Sequence, residues 1–248
     1  MWLKITNNYS PNFSLPKRKK TRIKHIIIHY TGMKSENAAI NRLCDERKNV
    51  SAHYFIKNNG CVINIVPDLY EAWHAGKSRW DNHNSLNKTS IGIEIQNPGH
   101  NSGYKKYSSK QINSLKLLLK KLIKKYRINI KNILGHSDIA PERKKDPGEK
   151  FPWKKLAKIN LSIWHNLSEI NLKKDRLKKL CKSEENKFMD NLYKFGYKKL
   201  KNFNKKLNNK IIIKAFQRRF RQTLINGIPD VECYLISKNL LKSGLNSY

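Results

Sequence analysis

Acidic side chains, cysteines and long apolar runs are all scarce in this 248-residue chain. Asp and Glu number 18 against 52 Lys and Arg, a formal charge of +34. Such an excess predicts attraction to polyanions: nucleic acid, anionic lipid or an acidic wall polymer. It is mostly Lys, spread along the chain with much Asn and Ile, and a compositional bias of the coding genome accounts for it as well as a binding role does. The four cysteines (Cys44, Cys61, Cys181, Cys233) form no C-x-x-C pair and no dense framework. Free thiols in a reducing compartment are the simplest expectation. No apolar run approaches the ~18 residues of a transmembrane helix. The first twenty residues lack both an apolar core after their first charges and a small-residue cleavage site. The expectation is a protein without a transmembrane segment, cytoplasmic, with the periplasm or outer membrane as the alternative.

What is present reads as an α/β domain followed by a smaller helical one. "IKHIIIHYTG" is a β-branched run suited to a central strand that turns at Gly32. "SENAAINRLCDE" has a cap at Ser35 or Asn37 and offers Ala38, Ile40 and Leu43 to a core. "SAHYFIKNNGCVINIVP" is a hairpin pattern around Asn58-Asn59-Gly60. "TSIGIEIQNPG" alternates Ile91, Ile93 and Ile95, and 109–126 repeats Ile and Leu at helical spacing with Lys opposite. "KNILGH" is a last short strand. The mixture predicts a mixed β-sheet flanked by helices over residues 1–160 and a connector over 161–185, with one helix within the Lys-rich stretch from about 159 to 185. A small all-α module follows over 186–248, with helices in "NKFMDNLYKFGY", "NNKIIIKAFQRRFRQ" and "DVECYLISKNLL".

Chemistry concentrates at strand ends. His29 closes the first strand, His136 follows the last, and Asp146 precedes a Pro-Gly pair. "GHSDIAPERKKDPG" holds too many turn-formers for a helix and is expected to be a loop, so its His and Asp need a ligand from elsewhere. Each of the three residues alone reads rather as a satisfied core His or a turn Asp. Together they suit a metal site with three protein ligands and one open position. Glu94 sits opposite Ile91, Ile93 and Ile95, either as a buried base or as an outward strand Glu beside Lys. Lys144, two residues before Asp146, could serve an oxyanion.

The strings "IIIHYTG", "VSAHYFIKNNG", "AWHAGKSRW", "SIGIEIQNPG" and "ILGHSDIAPERKKDPGEKFPW" run in order between about Ser10 and Ala157. Together they resemble the zinc-dependent N-acetylmuramoyl-L-alanine amidases of the type 2 family. The resemblance implies a mixed sheet flanked by helices and one Zn2+ per chain. It assigns His29, His136 and Asp146 as ligands, Glu94 as the water-activating base and Lys144 as the oxyanion stabiliser. More distant relatives carry a functional Tyr at the position of Ala52, so the base role here rests on Glu94. Those relatives often use Cys where this chain has Asp146. Trp73, His74 and Trp80 are candidate substrate-binding residues, Trp73 reading equally as core, and His53 reads as structural. The implied reaction is hydrolysis of the amide joining N-acetylmuramic acid, intact or 1,6-anhydro, to L-alanine of the stem peptide.

The helical module resembles a peptidoglycan-binding-like domain, although its pattern is eroded between Tyr197 and Lys210, and the alternative to wall binding is that it simply packs on the catalytic domain. Expected partners are peptidoglycan or muropeptides, with no specific nucleic acid, and the expected state is a monomer. Rival readings are an inactive peptidoglycan-binding protein, a zinc carboxypeptidase cutting within the stem peptide, and a basic nucleic-acid binder. The last is prompted by the absence of any acidic residue from Ile95 to Ser137, but no nucleic-acid motif accompanies it.

Overall fold

The computed structural model describes residues 3–201 and 203–245. Its centre is a six-stranded sheet in the order Ile5–Asn7, Val62–Asn64, Tyr54–Ile56, Ser90–Ile95, His25–Tyr30, Ile133–Gly135. Neighbouring strands run parallel except Tyr54–Ile56 and Val62–Asn64, which form the antiparallel hairpin expected around Asn58-Asn59-Gly60. Gly60 takes φ +86° in that turn, a conformation open to glycine at little cost.

Alternation along the strands sorts the two faces. Ile26 and Ile28 of the His25–Tyr30 strand and Ile91, Ile93 and Ile95 of Ser90–Ile95 pack beneath the helix Ser109–Tyr126. Leu115, Leu118, Leu119 and Leu122 of that helix are all buried, as its periodicity predicts, and its Lys residues lie outside. It starts at a capping box: Ser108 Oγ accepts from the Gln111 amide at 3.1 Å, and Gln111 Oε1 accepts from the Ser108 amide at 2.9 Å. Its far end is tied to the hairpin by buried Asp68, which accepts from Tyr54, Tyr126 and Lys125. Burial alone would raise the Asp68 carboxyl, but these donors outweigh it and hold it below the usual carboxylate range.

The opposite face carries Ile27, His29 and Glu94. Helix Glu36–Cys44, capped by Ser35, covers it on the hairpin side; Ala39, Ile40 and Leu43 are its buried residues, while Ala38 is exposed. On the Ile133–Gly135 side it is covered by the segment 72–86 and by the carboxyl-terminal helices Glu169–Asp175, Lys182–Phe195, Lys205–Phe220 and Val231–Leu245. A cleft is left between the two covers.

Several expectations change. The basic lead contains an edge strand, Ile5–Asn7, paired with Val62–Asn64. His136–Ile139 is one helical turn rather than loop. The helix expected within about 159–185 is Glu169–Asp175, and it is packed rather than free: its Leu172 joins the same core as Phe188, Leu192, Phe216 and Ile236. That core also holds Ile27, Trp80, Leu86, Leu134 and Ile139, so the helices are built onto the sheet. All four cysteines are free. Among the described residues no helix is long and apolar enough to cross a membrane.

Candidate active site

Parallel pairing sets His29 directly beside Glu94, and residues in register on neighbouring strands leave a sheet on the same face. His136 starts the helical turn at the end of Ile133–Gly135, the strand on the other side of His25–Tyr30. All three residues therefore lie at the carboxyl ends of parallel strands, where open α/β sheets form crevices. Asp146 arrives from the return of the same loop, whose Ser137 amide donates to the Asp146 carbonyl at 2.8 Å. Tyr104 and Tyr107 hydroxyls donate to the Pro147 carbonyl at 2.8 and 2.7 Å and pin the far side.

The His136 turn is held from a distance. Asp138 Oδ2 accepts from the Gly135 amide at 2.8 Å and from Arg219 at 2.7 Å, and Asp138 Oδ1 accepts from the Tyr197 hydroxyl at 2.8 Å. Arg219 also donates to the Ile133 carbonyl at 3.0 Å and lies over the Trp153 ring. Two residues of the helical segment thus grip the turn that presents His136.

His29 Nδ1, His136 Nδ1 and Asp146 Oδ2 form a triangle with edges of 2.9, 3.1 and 3.0 Å, all three residues buried. Tetrahedral ligands at ~2.0 Å from one ion lie ~3.3 Å apart, so the triangle fits a single small cation. The Ala75 carbonyl accepts from His136 Nε2 at 3.2 Å, which leaves the Nδ1 lone pair facing the triangle. Burial first, then the nearby His136, lowers His29 to about 4 and keeps it neutral. Burial would raise Asp146, but His136 and His29 hold it far below the carboxylate range. Two imidazoles and a carboxylate are a donor set for a divalent metal once the ring nitrogens facing the triangle carry no proton.

Glu94 faces this triangle with Oε2 buried and, among the described residues, without a hydrogen-bond partner. Burial, then the charge of Asp146, raises its carboxyl to about 8, with Lys144 opposing. Lys144 lines the same cleft, a space of about 580 Å³ that also takes in Tyr30, His100 and Arg143.

Residues 19–149 match the N-acetylmuramoyl-L-alanine amidase family. The chain belongs to that family. The amidase is 35% identical to AmiD of Escherichia coli K12 over 233 residues, 89% of this chain and 83% of that protein. It is 39% identical to the 1,6-anhydro-N-acetylmuramyl-L-alanine amidase AmpD of the same strain over 104 residues, 42% of this chain and 55% of that one. E. coli AmiD, solved in complex with the substrate anhydro-N-acetylmuramic acid-L-Ala-D-γ-Glu-L-Lys, superposes with a TM-score of 0.80, at 33% identity and 90% of each chain. AmpDh3 of Pseudomonas aeruginosa, in complex with anhydromuramic pentapeptide, gives 0.78 at 30% identity, over 93% of this chain and 95% of that one.

Of the residues singled out from the sequence, the cleft of the amidase brings together His29, His74, Glu94, His136, Lys144 and Asp146. The two tryptophans are corrections. Trp80 is 3% exposed, edge-on to Phe195 and Tyr197, and so close to Gly196 that a Cβ there would lie 2.5 Å from the indole. It packs against the helical segment, outside that cleft. Trp73 does not line the cleft; it is half-buried, and its indole N–H donates to Ser14 Oγ at 2.8 Å. His74 lies buried behind His29, its Nδ1 3.0 Å from His29 Nε2. Sequence reasoning missed Tyr30 and His100, whose hydroxyl and Nδ1 are 2.8 Å apart at the rim. The signal was available: each stands beside a strand end, in "HYTG" and "NPGH".

Proposed function

We propose that this amidase hydrolyses the amide between the lactyl group of N-acetylmuramic acid and L-alanine of the stem peptide, using one zinc ion held by His29, His136 and Asp146. The observation that carries the reading is the three-atom triangle lying beside an unpaired, buried carboxylate oxygen of Glu94. An ion bound there would supply Lewis acidity, polarising the scissile carbonyl and making water more acidic. Glu94 takes the proton from the attacking water at Oε2 and returns it to the departing L-alanine amine. A carboxyl raised towards neutrality can do both near pH 7. Lys144 donates to the oxygen on which negative charge develops. Arg42, Arg143 and Lys145 line the cleft and suit the carboxylates of a stem peptide. Substrates of this class occupy the solved AmiD and AmpDh3 complexes, and an anhydro-muropeptide is the substrate proposed for this chain.

The test is product analysis by mass spectrometry on an anhydro-muropeptide and on intact wall, side by side. Wild type is expected to release anhydro-N-acetylmuramic acid and the free peptide, to stop after chelation, and to recover with Zn2+. Glu94→Gln is expected to keep zinc and lose activity about 10²–10⁴-fold. Equal turnover by Glu94→Gln removes Glu94 from the mechanism, and cleavage within the peptide instead makes the protein a carboxypeptidase.

A further inference from the structure

His74 has both ring nitrogens occupied by the protein. Its Nδ1 lies 3.0 Å from His29 Nε2, and its Nε2 lies 3.3 Å from Ser90 Oγ. Ser90 Oγ in turn is 2.5 Å from the Leu86 carbonyl. A carbonyl only accepts, so the single hydroxyl proton of Ser90 points to Leu86. Ser90 Oγ is then an acceptor towards His74, which must carry its proton on Nε2 and present a lone pair at Nδ1. His29 must therefore carry its proton on Nε2, leaving the Nδ1 lone pair facing His136 and Asp146. The opposite tautomer of His74 would put a proton on His29 Nδ1, in the centre of the ligand triangle.

We propose that His74 is a positioning residue, which, anchored by Ser90, fixes the tautomer of His29 and so prepares it as a metal ligand before any ion arrives. The strand is shaped for this ring. Gly92 lies under it, where a Cβ would come within 2.3 Å of His74 Cγ. An aliphatic side chain would fill that space without burying two more polar atoms, the imidazole nitrogens, so packing alone does not account for a histidine there. The inference rests on the reading of His29 as a metal ligand.

Two measurements test it. In metal-free, ¹⁵N-labelled protein, long-range ¹H–¹⁵N histidine correlations are expected to show His29 and His74 both protonated at Nε2; Ser90→Ala is expected to leave His74 a mixture of tautomers. Zn2+ affinity is then measured by competition with a chromophoric chelator. His74→Phe, which keeps a ring but no acceptor, is expected to bind about 10–100-fold more weakly. His74→Asn, whose Oδ1 replaces the Nδ1 acceptor, is expected to keep most of the affinity. Wild-type affinity in His74→Phe, equal losses in both variants, or a proton on His29 Nδ1 in the wild type would each overturn the proposal. If wild type takes up no Zn2+ the metal reading fails instead, and the tautomer measurement, which needs no metal and no substituted chain, decides this one.

Discussion

The contact between Asp138 and Arg219 makes a quantitative demand. Both side chains are 1% exposed, the charged atoms lie 2.7 Å apart, and one partner lies within the turn His136–Ile139 while the other comes from the helical segment. Arg219→Met keeps much of the volume over Trp153 but leaves a buried carboxylate facing only the Gly135 amide and the Tyr197 hydroxyl. Removing one member of a buried pair costs about 3–5 kcal/mol, because the stranded charge cannot regain water. With a urea m-value of about 3 kcal/mol/M, the midpoint should fall by about 1–1.7 M. Indole fluorescence and far-ultraviolet circular dichroism should report the same shift, since both halves share one core. The double variant Asp138→Asn/Arg219→Met should recover part of the loss by removing the stranded charge. A fall below about 0.3 M, which at that m-value is under ~1 kcal/mol, or strict additivity in the double variant, would refute the claim that this pair couples the two parts.

Trp80→Ala should destabilise by about 3–5 kcal/mol, as large-to-small core changes do, and leave the KM for a muropeptide unchanged. A raised KM at unchanged stability would return Trp80 to the substrate. Burial, with the neighbouring His83 adding to it, lowers His25 from 6.5 to about 4. The unfolded chain therefore binds the extra proton first as pH falls. The stability due to a neutral His25 is complete above the ordinary value of 6.5 and is lost progressively towards 4. His25→Gln should flatten that part of a plot of urea midpoint against pH, and an unchanged slope would count against it.

Much of the sheet was legible because its rows are long and uniform. "IIIHY" and "SIGIEI" carry enough β-branched residues to declare themselves, and the helix Ser109–Tyr126 keeps its period over 18 residues. That His29 and His136 would meet was legible for a related reason: a strand end with a histidine on it has few places to go. Ile5–Asn7 was not, since three residues on a sheet edge give no period to read. The turn His136–Ile139 hid behind Gly135 and Pro141, and depends on Asp138 being gripped by residues some 60 to 80 positions later. Trp80 misled for the same cause. Its neighbours in "AWHAGKSRW" suggest a ligand, but Phe195 and Tyr197, which cover it, are more than a hundred residues away.

The common core of sheet and helices has a mechanical consequence. A wall-anchoring module on a loose tether lets its catalytic head graze around the anchor and raises local concentration by that freedom. Here the tether itself is packed, through Leu172, and Trp80 is interleaved with Phe195 and Tyr197. Every point on these helices is thereby held at one distance and one angle from Glu94.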